Sequence, residues 1–247
     1  FWPGRQLLAN FVEKRLLNAD RVAVSHAALN AHDEFLRQLG ITPVKKGVVI
    51  YNGLEEPNGE RTEDNILNLD EDRINLLFIG RLEYQKGPDI LIESIKILAD
   101  DVKNKVYIHI IGEGDLTDEI NYEIKQHDLP VMLYGAIFNA KSLIKYCDAV
   151  VMPSRFEGLP LVAVEAILEG KKVIATNAPG LSEVFEGTSE VLADNNSPQS
   201  LACLITDAVN SPAVHLSLNG DVKQNVLSKF TLTTMISAYN RFHRTIS

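Results

Sequence analysis

From Asn75 onward, short apolar runs rich in β-branched residues alternate with amphipathic stretches of helical period. No other feature constrains the fold as much. Strands are expected at 75–79, 106–111, 131–134, 149–152 and 172–175. Helices are expected at 88–99, 116–127, 140–145, 160–169 and 181–185. The strands are continuously apolar, with no in-out alternation, so both faces of the sheet must be covered. Strand-helix alternation of this kind gives an α/β fold, a doubly wound parallel sheet with helices on both sides.

The flanking segments read differently. Residues 5–18 have a helical period, with Leu7, Leu8, Phe11, Val12 and Leu16 on one face. A short strand at 21–24, a helix at 26–38 stopped by Gly40, and a strand at 47–51 stopped by Asn52-Gly53 follow. Residues 55–72 are polar and acidic and read as a linker. Residues 199–246 are mostly helical, with breaks at Pro212 and near Gly220. The expected organisation is a partial amino-terminal domain over 1–55, a linker over 56–73, a sheet domain over 74–211 and carboxyl-terminal helices over 212–247. The chain starts with Phe1, and its first residues lack the pattern of a signal peptide. The expectation is a sequence cropped from a longer protein.

Charge narrows the function classes. The 24 Lys and Arg against 33 Asp and Glu leave a net charge of −9. That balance argues against a general nucleic-acid binder, which needs a basic stripe. A small anion remains open, since a pocket needs only two or three cations. No apolar run reaches the ~18 residues of a membrane span. Cys147 and Cys203 form no disulfide framework and no metal-ligand spacing. The six histidines are scattered, and Asp70-Glu71-Asp72 lies in the linker and reads as solvated charge. No metal site is expected.

In a doubly wound sheet, ligands bind outside the carboxyl ends of the strands. After the first of these strands come Gly80-Arg81-Leu82-Glu83-Tyr84-Gln85-Lys86-Gly87-Pro88. Two cations beside a helix N-terminus make an anion site, or else solvated charge around an ordinary loop. After the second strand, Gly112-Glu113-Gly114-Asp115 lacks the third glycine of a dinucleotide fingerprint. A tight turn with Asp115 capping the next helix is the simpler reading. After the third, the 134–139 loop offers apolar side chains and backbone groups, including Ile137.

The fourth loop says most. A buried strand ends in Pro153-Ser154-Arg155-Phe156-Glu157-Gly158-Leu159-Pro160 and enters the helix Leu161-Val162-Ala163-Val164-Glu165-Ala166-Ile167-Leu168. Seven of those eight helical residues are apolar, which marks a buried helix with one carboxylate inside it. A buried carboxylate needs donors. Ligand hydroxyls satisfy it, or it snorkels to solvent or pairs with Lys171 or Lys172.

These segments, in this order, resemble the carboxyl-terminal donor-binding domain of the retaining family 4 glycosyltransferases of the GT-B fold. The likeness rests on Phe78-Ile79-Gly80-Arg81-Leu82 with Lys86-Gly87, Ile111-Gly112-Glu113-Gly114, 147–154, and Glu157-Gly158-Leu159-Pro160 followed by Glu165-Ala166. Val173-Ile174-Ala175-Thr176 with Gly180 and Glu183 also fits. The 19–25 and 49–53 segments look like the end of that family's amino-terminal domain.

The resemblance implies a Rossmann-like half of a GT-B fold. It implies that Arg81 and Lys86 hold a donor diphosphate and that Glu165 accepts from ribose hydroxyls. It assigns Glu157 to hydroxyls of the transferred sugar and to charge at the reacting centre, making Glu157, Arg81 and Lys86 the catalytic set. Gly80 and Gly112 line the donor site, amides at Gly158, Leu159 and Leu161 face sugar and phosphate, and Ile137 lies against the base. The implied activity is a retaining hexosyl- or N-acetylhexosaminyltransferase using a nucleotide sugar, UDP-sugar before GDP-sugar. It needs no cofactor or metal. The implied acceptor is a saccharide or a lipid-linked molecule, in bacterial surface polysaccharide or lipopolysaccharide assembly. The setting is cytoplasmic, at the inner membrane face where the missing amino-terminal domain makes peripheral contact. That domain carries the family's acceptor site, so this chain is expected to bind donor and to be inactive alone. The Pro179-Gly180 pair departs from the family's two small residues. A nucleotide-sugar epimerase of the same architecture and a non-catalytic nucleotide-binding module are the alternatives.

Overall fold

The computed structural model describes residues 19–42, 45–55, 67–212 and 216–246. The helix expected over 5–18 and most of the expected linker lie outside these residues. The amino-terminal part is a parallel pair, β1 (Val22–Ala23) with β2 (Val48–Val49), joined through helix α1 (His26–Gln38). Ser25 Oγ accepts from the Ala28 amide at 2.9 Å, which caps α1 and explains its start. The helix ends at Gly40, which takes the left-handed conformation at φ +69°.

The main sheet has five parallel strands in the order β5-β4-β3-β6-β7: β3 (Ile74–Ile79), β4 (Val106–Ile111), β5 (Val131–Leu133), β6 (Ala149–Met152) and β7 (Lys172–Ala175). Alternate side chains enter two cores, one per face. Leu76, Phe78, Ile108, Ile110 and Val151 pack under α2 (Pro88–Lys96), α3 (Asp100–Lys103), α4 (Thr117–Gln126) and α7 (Pro198–Asn210). Leu77, Ile111, Val150, Met152 and Val173 pack under α5 (Leu161–Leu168), α6 (Ser182–Phe185) and α8 (Gly220–Lys229). A Leu→Ala change at such a site costs about 2–5 kcal/mol.

Two helical expectations change. The stretch expected over 88–99 breaks after Lys96 because Ala99 is extended at ψ 150°. Asp100 and Asp101 then start a new turn, where acidic side chains suit the helix dipole. The 140–145 segment is a 3-10 helix, Ala140–Tyr146, entered through Asn139 at φ +54°. The carboxyl-terminal region breaks once more than expected, at Phe230-Thr231, before α9 (Leu232–Ile246). That break returns the chain to the 51–54 segment: the Leu54 amide donates to the Phe230 carbonyl, the Leu232 amide donates to the Leu54 carbonyl, and the Tyr51 and Phe230 rings lie 4.8 Å apart.

A buried polar chain fastens the start of the sheet. Asn75 Oδ1 accepts from the Asp70 amide, so it also accepts from His109 Nε2 at 3.0 Å. His109 Nδ1 is thereby left to accept from the Tyr134 hydroxyl at 2.9 Å, which in turn accepts from the Asn68 amide. His109 is fully buried, and burial lowers its pKa from 6.5 to about 4. Asp70 itself accepts from Arg73 Nε and the Asp72 amide, a local turn.

Candidate functional site

The carboxyl ends of all five parallel strands face one edge, and the loops leaving them pack against each other there. Two glycines allow this. A Cβ on Gly112, at φ +145°, would stand 1.8 Å from the Gly80 carbonyl oxygen. A Cβ on Gly180, at φ +79°, would stand 2.2 Å from the Glu157 carbonyl oxygen. Ladder bonds continue into the loops: the Leu82 amide donates to the Glu113 carbonyl, the Gly112 amide to the Gly135 carbonyl, and the Glu157 amide to the Pro179 carbonyl.

The 80–88 and 153–160 loops bring Lys86 and Glu157 together. Lys86 Nζ lies 2.8 and 2.9 Å from the two Glu157 carboxylate oxygens, and Ser154 Oγ donates to Oε1 at 2.7 Å. The Glu157 side chain is 4% exposed and that of Lys86 22% exposed. Glu157 is therefore closed off from solvent within its loop. It is a buried carboxylate neutralised by one lysine, because a buried charge persists only when paired and hydrogen-bonded.

Arg81 stands at the same loop but is 65% exposed, with its guanidinium on Glu83 at 2.8 Å. Glu165 lies within α5, 19% exposed, and its nearest cation is Lys141 at 3.8 Å. Burial raises the Glu165 pKa, and Lys141 offsets this only in part. Neither Lys171 nor Lys172 is its partner: Lys172 is taken by Glu190 at 2.5 Å. Ile137 packs against the core on the α5 side of the sheet. The Leu161 amide already donates to the Leu159 carbonyl at 3.0 Å, so it is not free to face a ligand, whereas Gly158 and Leu159 amides make no backbone bond among the described residues. Asp115 does not cap α4. Thr117 Oγ1 accepts from the Gly114 amide and donates to the Gly114 carbonyl, which closes the turn before the helix, and no side-chain hydrogen bond caps the helix itself among the described residues.

The sequence reading gave no role to three residues here. Ser154 holds Glu157, and Arg155 binds Asp89. Glu183 accepts from the His26 and Ala27 amides and from the Tyr51 hydroxyl, joining the sheet domain to α1. The available signal is an arginine three residues after a buried strand, with an aspartate in the first turn of the helix that follows the neighbouring strand.

The family described as Glycosyl transferases group 1 matches residues 59–225. The chain is similar to an uncharacterized glycosyltransferase of Methanocaldococcus jannaschii, 30% identical over 242 residues, covering 96% of this chain and 63% of that protein. It is also similar to an uncharacterized 41.2 kDa protein in the cps region of Klebsiella pneumoniae, 30% identical over 207 residues, 79% of this chain and 54% of that protein. The chain thus spans little more than half to three-fifths of these relatives. Among solved structures, Anabaena HepE in complex with UDP and glucose shares the fold, with a TM-score of 0.78 at 21% identity over 99% of this chain and 68% of the other.

Proposed function

The chain belongs to the group 1 glycosyl transferases, and from that premise we propose that it carries the donor side of a sugar transfer. The donor is a nucleotide-diphosphate sugar, UDP-sugar by preference. The acceptor is a saccharide or a lipid-linked molecule, and the anomeric configuration is retained. The observation that carries this reading is the Lys86–Glu157 pair at the edge where β3 and β6 end.

Lys86 has three N–H donors and spends two on Glu157, so one remains for a phosphate oxygen. Among the described residues Arg81 bonds only Glu83, and it turns most of its guanidinium to solvent at the same loop. Together they stabilise charge that develops on the departing diphosphate. That oxygen then takes the acceptor's proton, which leaves the new bond on the face the diphosphate vacated. Glu157 accepts from a sugar hydroxyl while supporting positive charge at the anomeric carbon. Glu165, partly buried and weakly paired, gains what it lacks from the ribose hydroxyls. Gly158 and Leu159 offer amides, Gly80 and Gly112 keep the floor narrow, and Ile137 covers the base. The charge on the diphosphate is met by side chains, so the reading uses no metal.

Support for UDP comes from the likeness to HepE, solved with UDP and glucose. Support for bacterial surface polysaccharide comes from the Klebsiella relative in the cps region. No helix among the described residues is long and apolar enough to cross a membrane. A lipid-linked acceptor would instead bring the enzyme to the membrane face by peripheral contact.

The test is incubation of the full-length protein with a saccharide acceptor and UDP- or GDP-sugars, with nucleotide release and the anomer first formed followed by proton NMR. Release of UDP with the donor's configuration kept is expected. An inverted product overturns retention, sugar epimerisation without acceptor favours the epimerase, and binding blind to the sugar favours the non-catalytic module.

A further inference from the structure

Arg155 is the most fully engaged side chain at this edge. Its guanidinium meets Asp89 through two nitrogens, Nη1 at 2.9 Å and Nη2 at 2.6 Å. Nη1 also donates to the Tyr84 carbonyl at 2.8 Å, and Nε donates to Asn196 Oδ1 at 2.8 Å. The plane lies 3.9 Å from the Tyr84 ring centroid. Its backbone is tied as well: the amide donates to the Gln85 carbonyl, and the carbonyl accepts from Asn195 Nδ2. With an 11% exposed side chain, Arg155 joins the segment that carries Lys86, residues 84–89, to the segment that carries Glu157. A second bond, from Gln85 Nε2 to the Phe156 carbonyl at 3.2 Å, runs the opposite way between the same segments.

We propose that Arg155 is a positioning residue that fixes Lys86 opposite Glu157 and so sets the grip on the donor diphosphate. The inference rests on the donor-binding reading above. Arg155 touches neither Lys86 nor Glu157 through its side chain. It acts through the 84–89 segment, which it grips on either side of Lys86, at the Tyr84 and Gln85 carbonyls before it and the Asp89 carboxylate after it. Only a planar fork supplies two parallel bonds to Asp89, a third donor to Asn196 and a flat face for Tyr84. Lysine keeps the charge but serves one of these partners at a time. The 84–89 segment then shifts relative to 153–157, and the Lys86 ammonium loses its fixed place over the β-phosphate. The nucleoside half of the ligand, resting on other loops, is unaffected.

That separation gives the experiment. UDP and UMP affinities are measured by calorimetry for the wild-type chain, Arg155→Lys and Asp89→Asn, with thermal melting alongside. The wild-type chain is expected to prefer UDP. In both variants the UDP:UMP affinity ratio falls about tenfold, the scale of one charge-assisted hydrogen bond, while UMP affinity stays within about twofold. Equal losses for UDP and UMP, or an unchanged ratio, overturn the inference and leave the donor reading standing. A wild-type chain that does not discriminate UDP from UMP overturns both. Should Arg155→Lys not fold, the milder Asp89→Asn decides by the same ratio.

Discussion

Lys86 and Glu157, 71 positions apart in sequence, meet as a part-buried ion pair in which both oxygens of a buried carboxylate accept from one ammonium. The pair follows from two adjacent parallel strands, β3 and β6, whose following loops start at the same edge. It makes the site neutral at rest and places a cation where a phosphate would arrive.

A buried pair is more sensitive to losing one member than to losing both. Lys86→Met is expected to lose about 3 kcal/mol of unfolding free energy, because it strands the Glu157 carboxylate. The double variant Lys86→Met with Glu157→Gln is expected to recover most of that loss. Urea unfolding of the single and double variants checks this, and additive losses would contradict the pairing.

Glu165 should behave oppositely. Its folded pKa is raised by burial, so its contribution is most favourable below the carboxyl's unfolded pKa and is lost as pH rises through the folded one. Glu165→Gln is therefore expected to flatten that decline and to be no less stable than wild type at pH 7. The same change weakens UDP binding but leaves 2′,3′-dideoxy-UDP binding unaltered. Equal losses for both ligands, measured by calorimetry, would remove the ribose role.

His109 carries a second pH signature. Its folded pKa, about 4, lies below the unfolded value of 6.5, so the unfolded chain takes up a proton first. Stability is full above pH 6.5 and falls as pH drops toward 4, by roughly 3 kcal/mol over that window. Nitrogen NMR should show a neutral ring with the proton on Nε2 down to about pH 5. An imidazolium signal at pH 6 would contradict the hydrogen-bonded chain.

The loop glycines separate cleanly. Gly112→Ala and Gly180→Ala place a Cβ against backbone carbonyls at positive φ, and each is expected to cost more than the 1–3 kcal/mol of dihedral strain alone. Gly158→Ala meets nothing within 4 Å and should melt like wild type. Thermal melting distinguishes the three.

The fold was legible because its signals are local. The bounds read for β4, β6, β7 and α1 coincide with those observed, since each is a buried apolar run or a capped amphipathic helix. The loops that hold Arg81, Lys86 and Glu157, and the helix that holds Glu165, followed from the strand order. What escaped was pairing between distant segments. The sequence shows that Glu165 needs a donor but not that Lys141 approaches it while Lys172 goes to Glu190. It shows Glu157 beside a helix start but not its burial under Lys86. The Arg155–Asp89 clamp and the Glu183 cap on α1 span 66 and 156–157 positions, and only the tertiary fold brings such partners together.

The central claim is that the loop after β3 grips a nucleoside diphosphate, and calorimetric titration with UDP tests it most directly. Wild-type chain should bind, and Lys86→Ala and Arg81→Ala should each weaken binding by about 1.5–3 kcal/mol, the worth of a hydrogen bond to a charged group. Affinity left unchanged by both substitutions, in chains that melt cooperatively, would contradict the account.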